Sequence, residues 1–227
     1  DPRTNEFTEG FRERGFLPEA FINMLAMLGW NDGTEQEIFS LPELVDKFSM
    51  SRVHKAGAKF DFEKAKWYNH EWIKKINIDT LFPVIENIFQ QKGITIPSKE
   101  KALKIFDLVK DRCSLLTDFA EQSLFFFQRP VNVDLESIRP KWTEQKRIFF
   151  IELMRSYELL PSWENAALEN TFNEIAAANS IKPGELMLPL RVMLVGGKSG
   201  PGIFHIAENL GLEETLTRIH SNLESLQ

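Results

Sequence analysis

The stretch from Arg52 to Asn69 carries residue types that could bind a polyanion. It holds five basic side chains and two large aromatic rings, namely Arg52, Lys55, Lys59, Lys64, Lys66, Trp67 and Tyr68. Lysine and arginine displace counterions from phosphate, and exposed rings stack on unpaired bases. Trp67 and Trp72 also fit the core-facing side of an amphipathic helix, and a protein partner could use the same stretch. Residue types alone therefore leave RNA binding, protein binding and a structural role open.

A second stretch, from Val195 to Ser199, superficially resembles a phosphate-binding loop. Its Gly-Gly-Lys-Ser order fits, but such a loop requires a further glycine at position 192, which is Val192, and it follows a strand. The preceding segment has a helical pattern instead. We interpret the two glycines as the end of a helix.

The remaining candidates for catalysis or metal binding do not form a recognisable set. The histidines are scattered at positions 54, 70, 205 and 220, and no two have the spacing of a helical zinc pair. His205 and Glu208 share a helix face but make an incomplete site. Cys113, which has no histidine near it in the sequence, is expected to be buried and inert. The sequence therefore predicts no catalytic residue and no metal site.

Composition and charge distribution favour a cytoplasmic globular protein with a locally basic face. The 227 residues are 43% hydrophobic and 26% charged, and the net charge is −6. No run approaches the roughly 20 apolar residues of a membrane span, and the amino terminus lacks a signal-peptide pattern. Residues 1–46 hold ten acidic and three basic side chains, whereas residues 52–75 hold seven basic and three acidic ones. A basic surface within an acidic chain is therefore expected.

Periodicity and capping signals predict a mainly α chain. A helix from Pro18 to Leu28 precedes a capping box at Ser40 and Glu43, which opens a short helix. Residues 53–60 read as irregular or briefly extended, with Asp61 as the cap of the next helix. The predicted helices after it are 62–76, 79–91, 98–111, 114–127, 134–160 with a break at Pro140, 162–179, 185–195, 202–210 and 213–226.

Three motifs in the first third of the chain resemble the bacterial glutamyl-tRNA synthetase family. They are Gly15-Phe-Leu-Pro-Glu-Ala-Phe-Ile-Asn-Met-Leu-Ala-Met-Leu-Gly-Trp-Asn31, Phe39-Ser-Leu-Pro-Glu-Leu44, and Arg52-Val-His-Lys-Ala-Gly-Ala-Lys-Phe-Asp61 followed by Lys66-Trp-Tyr-Asn69. The resemblance is to the part that follows the catalytic core. It weakens over residues 77–160 and returns in Trp163-Glu-Asn-Ala-Ala-Leu168, Pro189-Leu-Arg191 and Gly200-Pro-Gly-Ile-Phe204, so it covers essentially the whole chain.

The resemblance implies a small α+β stem-contact domain at residues 1–76 and two all-α anticodon-binding domains at 77–124 and 125–227. The full-length family members attach glutamate to tRNA(Glu) with ATP and Mg²⁺. Their His-Ile-Gly-His-like and Lys-Met-Ser-Lys-Ser-like motifs are missing from this sequence. We therefore expect no cofactor and no catalysis in this part alone. The implied partner is tRNA(Glu), without DNA or membrane binding, for a cytoplasmic monomer.

The resemblance also implies residue roles. The stretch Val109-Lys-Asp-Arg-Cys-Ser-Leu-Leu-Thr-Asp-Phe119 resembles the region whose arginine reads the last anticodon base, which gives that role to Arg112. A second anticodon surface falls on Leu188, Arg191, Gly200, Pro201 and Ile203, with Ile203 covering the face of a flipped base. Glutamine often stands in relatives where this chain has Leu188. Phosphate contacts on the tRNA stem fall on Arg52, Lys55, Lys59 and Lys66.

Two alternatives stay open at this stage. A helical protein-interaction module would use the basic stretch for a protein and would ignore RNA. A glutaminyl or nondiscriminating relative would share the fold and differ in its use of Arg112.

Overall fold

The computed structural model describes residues 9–54, 57 and 59–226, and this part of the chain is mainly helical. The mainly α prediction is confirmed, and eleven α-helices lie within the described ranges. They are α1 (Pro18–Met27), α2 (Leu41–Lys47), α3 (Phe62–Lys75), α4 (Ile78–Gln91), α5 (Lys99–Val109), α6 (Asp118–Phe127), α7 (Glu144–Glu158), α8 (Asn165–Ala178), α9 (Pro183–Val195), α10 (Ile203–Leu210) and α11 (Leu212–Ser225).

The expected capping residues begin their helices. The Ser40 hydroxyl accepts the Glu43 N–H while the Glu43 carboxylate accepts the Ser40 N–H, so the capping box is confirmed. The Asp61 side chain accepts the N–H groups of Glu63 and Lys64 at the start of α3. These bonds satisfy donors that the first turn of a helix leaves without a partner. They explain why the starts of α2 and α3 were predictable from the sequence.

The predicted helices that correspond to α6 and α7 were too long at their amino-terminal ends. Helix α6 begins at Asp118 and not at Ser114, because the Asp118 carboxylate accepts the N–H groups of Ser114 and Leu115 and holds them in a turn. Before α7, two short 3₁₀ turns occupy Leu135–Ser137 and Arg139–Lys141. Proline at position 140 lacks the N–H that a continuous α-helix needs, and α7 starts only after the Thr143 cap.

The chain divides into two compact units, residues 1–122 and 123–227. Within the described ranges, the β structure expected in the first unit is one isolated antiparallel bridge between Trp30 and Val53. The three-domain division at 76/77 and 124/125 stays a proposal. No helix in the described part combines the length and apolar character that a membrane crossing requires.

Unit 1 is held together by α1 packed against α3 and by the pair α4 and α5. Phe16, Met24 and Tyr68 form a buried cluster where α1 packs against α3. Further along, Phe106 contacts Phe82 and Phe89 with ring centroids 6.2 and 5.3 Å apart. These rings supply large buried apolar areas, which dominate core stability.

Unit 2 has an aromatic core and a buried ionic network. Phe149, Phe172 and Phe204 form a chain of edge-on ring contacts across α7, α8 and α10. Elsewhere in unit 2, the Arg218 guanidinium donates to the carbonyl oxygens of Leu194 and Phe125 and to the Glu214 carboxylate. This arginine satisfies carbonyl groups near the ends of α9 and α6, where a helix leaves acceptors without intrahelical partners.

Candidate nucleic-acid interface

The basic stretch places its described cations on the surface of unit 1. Arg52 is exposed at the end of a 3₁₀ turn, Met50–Arg52, and Lys59 is exposed just before α3. Lys66 is half-buried, and its ammonium lies 3.1 Å from the Glu63 carboxylate. Exposed pairs of this kind contribute little to stability, so a phosphate group can replace the carboxylate at low cost. Lys55, also predicted as a phosphate contact, lies outside the described residues.

Of Trp67, Tyr68 and Trp72, Trp67 has the largest exposed surface, and Phe60 in the same stretch is also exposed. The Trp67 side chain is 41% exposed, whereas Tyr68 is fully buried. Trp72 is partly buried, and its indole N–H donates to the Asn23 side-chain oxygen at 3.2 Å. Tyr68 and Trp72 therefore have structural roles, and Trp67 alone among the three offers a ring to solvent.

Arg112 is exposed on a short 3₁₀ turn, Lys110–Arg112, between α5 and α6. Its Nε donates to the Gln122 side-chain oxygen at 3.2 Å. Among the described residues this is the one hydrogen bond of the side chain of Arg112, which is exposed as a residue, so its two terminal amino groups keep donors available for a ligand. A guanidinium in that state can pair with two acceptors on one planar partner.

Two polar side chains of α3, the buried Asn69 and the half-buried His70, fix the backbone that follows Arg112. Asn69, which is fully buried, donates from Nδ2 to the carbonyl oxygens of Ser114 at 2.6 Å and Gly15 at 3.3 Å. Its Oδ1 accepts the Leu17 N–H at 2.7 Å. The Nδ1 atom of His70 lies 2.9 Å from the Cys113 carbonyl oxygen. One amide thus joins three segments that are distant in sequence.

Close packing around Gly15 strengthens this arrangement. The Gly15 carbonyl accepts the Leu116 N–H at 2.9 Å. Gly15 has φ = +90°, and a Cβ built on it would lie 2.8 Å from the backbone nitrogens of both Leu116 and Thr117. Any larger residue would force the segment before α6 away, so this glycine is required by both conformation and space.

In unit 2, the second predicted surface is a corner between α9 and α10. Helix α9 ends at Gly196 with φ = +82°, where a Cβ would lie 2.7 Å from Pro130 Cβ. This confirms the glycine-closed helix end and rules out the phosphate-loop geometry. The Arg191 Nη1 then donates to the Pro201 carbonyl at 2.7 Å, and a Cβ on Gly200 would lie 3.0 Å from the same nitrogen. Arg191 therefore stabilises the backbone of this corner through its hydrogen bond to Pro201.

The other two residues of this predicted surface differ in exposure. Leu188 is 39% exposed on α9, whereas Ile203 is 5% exposed at the start of α10. Pro201 is buried as well. Ile203 has no open face in this conformation, so the expectation that it covers a flipped base does not match its position. Its side chain packs inside unit 2 and supports the corner.

Other candidate chemistry is weak, as far as the structure describes the chain. No group of three or more His, Cys, Asp and Glu side chains in the described ranges is arranged to hold a metal ion. Cys113 is buried as predicted, and burial raises the pKa of its thiol, so the reactive thiolate is disfavoured. His205 contacts Glu208 at 3.5 Å on the surface of α10 and forms no larger cluster in the described part.

Sequence reasoning missed two residues that bear on Arg112. Gln122 is ten positions away, across a turn whose geometry the sequence does not give. Asn69 was visible only as the last residue of the motif Lys66-Trp-Tyr-Asn69. A buried asparagine on the apolar side of an amphipathic helix was the available signal, since such a side chain needs hydrogen-bond partners.

Comparisons with known proteins agree with this geometry. A family model described as anticodon binding domain matches residues 61–223, and one described as tRNA synthetases class I (E and Q), catalytic domain, matches residues 3–67. The glutamate–tRNA ligase of Flavobacterium johnsoniae is 42% identical over 219 residues, which cover 96% of this chain and 43% of that protein. The Phocaeicola vulgatus enzyme is 40% identical and covers 100% and 45%.

Solved structures give the same result. A glutamate tRNA ligase from Elizabethkingia meningosepticum, in complex with its amino acid, superposes with a TM-score of 0.92 at 35% identity, covering 100% of this chain and 45% of that one. The Elizabethkingia anophelis enzyme gives 0.86 at 36% identity, with coverage of 99% and 44%. The chain thus spans less than half the length of these relatives. It belongs to the anticodon-binding domain family of glutamate–tRNA ligases.

Proposed function

We propose that this chain is the tRNA-binding part of a glutamate–tRNA ligase and that its partner is tRNA(Glu). The observation that carries the proposal is Arg112, an exposed guanidinium on a backbone that the buried Asn69 and the half-buried His70 fix. It lies inside the region, residues 61–223, that matches the anticodon-binding family. A side chain that reads a nucleobase requires a rigid backbone and hydrogen-bond donors that remain available to the ligand.

Arg112 would read the last anticodon base by hydrogen-bond matching. Cytosine presents two adjacent acceptors, O2 and N3, to the terminal amino groups of a guanidinium. Uracil presents a donor, N3–H, in place of the N3 acceptor of cytosine, so one donor of the arginine would lose its partner. Sequence-specific RNA recognition relies on such contacts to unstacked bases.

The corner of unit 2 would hold a second anticodon base. Gly200 lets the backbone approach a base closely, and Leu188 offers an exposed apolar contact. We assign Arg191, Pro201 and Ile203 to shaping this corner, since the first holds the carbonyl of the second and the third is buried.

Arg52, Lys55, Lys59 and Lys66 would contact phosphates of the tRNA stem. Such contacts set the register of the RNA and carry no sequence information. The exposure of Arg52 and Lys59 and the weak Lys66 pairing support this role. Trp67, exposed on the same helix as Lys66, is available for stacking on a base or ribose.

The full-length protein would attach glutamate to tRNA(Glu) with ATP and Mg²⁺, as a cytoplasmic monomer without affinity for DNA or membranes. The Gly-Gly-Lys-Ser segment closes helix α9 and does not have the geometry of a phosphate-binding loop. We therefore assign no catalytic step to this chain and expect no aminoacylation from it alone.

The test is tRNA affinity measured by fluorescence anisotropy. The probes are tRNA(Glu), the same tRNA with its last anticodon base changed from cytosine to uracil, and an unrelated tRNA. We expect the wild-type chain to prefer the first and Arg112→Gln to lose roughly ten- to a hundredfold of that preference. Equal affinity for all three RNAs would refute anticodon reading. A wild-type chain that binds tRNA(Glu) and its uracil variant equally, yet rejects the unrelated tRNA, would identify a nondiscriminating relative.

A further inference from the structure

The guanidinium of Arg112 is held at one end and open at the other. Gln122 in α6 accepts from Nε at 3.2 Å, and Gln122 is itself half-buried. Nε is the donor nearest the backbone, so this bond fixes the plane of the group without using its terminal amino groups. An arginine side chain otherwise loses much rotational freedom when it binds, and prior ordering reduces that cost.

The amide of Gln122 is well suited to this task. It is neutral, so it does not repel the phosphates of an approaching RNA, as a carboxylate would. Its position is anchored because α6 begins at Asp118, whose carboxylate caps the N–H groups of Ser114 and Leu115 at 2.8 and 2.9 Å. The same cap closes the turn that follows Arg112, so the arginine and its holder belong to one rigid local structure.

The backbone on the other side of the turn is equally constrained. Lys110, the first residue of the 3₁₀ turn, donates from Nζ to the Ile76 carbonyl at 2.6 Å. With the Asn69 and His70 contacts to Ser114 and Cys113, both flanks of Arg112 are tied to α3. Backbone position and guanidinium plane are thus fixed by separate groups.

We propose that Gln122 is a positioning residue that sets the guanidinium plane of Arg112 for base reading, above a backbone that Asn69 and His70 fix. The inference rests on the proposed function, because it requires that Arg112 contacts a base. Gln122 itself touches Arg112 and not the base. Its removal should therefore weaken discrimination between bases more than overall attraction to RNA.

The experiment uses four variants of the whole chain, Gln122→Ala, Gln122→Glu, Arg112→Ala and Gln90→Ala. Gln90 is an exposed glutamine on α4 and serves as the matched control. The readout is the discrimination ratio, which is the dissociation constant for the last-base uracil variant divided by that for tRNA(Glu). We expect Gln122→Ala to lower this ratio roughly three- to tenfold, since a released side chain must be ordered again on binding. Gln122→Glu should retain most of the ratio because its carboxylate still accepts from Nε, and Gln90→Ala should leave the ratio unchanged.

The outcomes separate this inference from the proposed function. An unchanged ratio in Gln122→Ala, with a collapsed ratio in Arg112→Ala, would overturn the positioning role and leave the proposed function intact. A ratio that Arg112→Ala leaves unchanged would overturn the base-reading assignment itself, as would a wild-type chain without tRNA affinity. Equal weakening toward both RNAs in Gln122→Ala would point to a merely structural effect and would also overturn the inference. Unfolding curves of all variants verify that each is folded.

Discussion

Replacing Arg218 by methionine should destabilise unit 2 by about 2–5 kcal/mol. The Arg218 side chain is 5% exposed and donates to the carbonyl oxygens of Leu194 and Phe125. Methionine keeps the aliphatic stem but leaves both buried acceptors without a donor, and each such loss costs about 1–3 kcal/mol. Glu214 keeps Arg129 as a partner, so its charge is not left alone. The loss is a large fraction of the roughly 5–15 kcal/mol that stabilises a typical domain.

Arg129→Met is the matched control, because it removes the same charge from the same carboxylate. Arg129 binds Glu214 through Nε and Nη2, with a shortest distance of 2.6 Å, but its side chain is 57% exposed. Exposed pairs contribute up to about 1 kcal/mol. The difference in stability between the two variants should therefore come from the burial of Arg218 and not from the loss of a positive charge.

Hydrogen exchange followed by mass spectrometry is the suitable assay. The chain has two units, so a single global free energy of unfolding is not well defined, whereas peptides from α9 and α11 report on unit 2 directly. We expect faster exchange in these peptides for Arg218→Met than for Arg129→Met. Equal exchange in the two variants, or an Arg218 effect below about 1 kcal/mol, would refute the assigned role of the buried network.

Three further outcomes are expected. Lys59→Ala should reduce the slope of log affinity for tRNA against log salt by about 0.7–1, because one phosphate contact releases about one counterion; an unchanged slope would remove Lys59 from the interface. Gly196→Ala should lower the stability of unit 2 by at least about 1–2 kcal/mol, measured by hydrogen exchange in peptides from α9, since its φ is +82°. Gly197→Ala, whose Cβ meets nothing within 4 Å, should cost less in the same assay. The Thr34 hydroxyl, with a smaller effect of Lys47, lowers the pKa of Asp32 from 3.8 to about 2, so the ionised Asp32 stabilises the fold above pH 3.8 and this contribution is lost as the pH falls toward 2. Asp32→Asn should remove this pH dependence of stability, and a pH profile equal to that of the wild type would contradict the assignment.

Much of the fold was predictable because local signals decide it. The Ser40 and Glu43 capping box and the Asp61 cap mark helix starts through bonds within three residues. The starts of α6 and α7 were harder to predict, because a side chain can cap a turn so that the helix begins later in the sequence, as Asp118 does. Such choices depend on competition between nearby hydrogen bonds, which the sequence pattern does not rank.

The candidate site was predictable only in part, and for a different reason. The resemblance gave Arg112 its proposed role, and exposure agrees with that proposal. The burial of Ile203 and the support given by Arg191 come from packing between α9 and α10, which periodicity does not reveal. Gln122 carried no signal in the sequence, because a half-buried glutamine on a helix is ordinary until its partner is known.

The hydrogen bonds of Asn69 bear on how the chain can be shortened or recombined. All of its partners are main-chain atoms, at Gly15, Leu17 and Ser114. Side chains at those positions can drift in evolution as long as the glycine stays, but the asparagine cannot. A polypeptide cut after residue 76 would lose Ser114 and expose the amide, so a piece that contains residues 1–76 should be expressed together with the rest of unit 1, up to residue 122. Exchanging that longer piece between homologues keeps every partner of Asn69 in place.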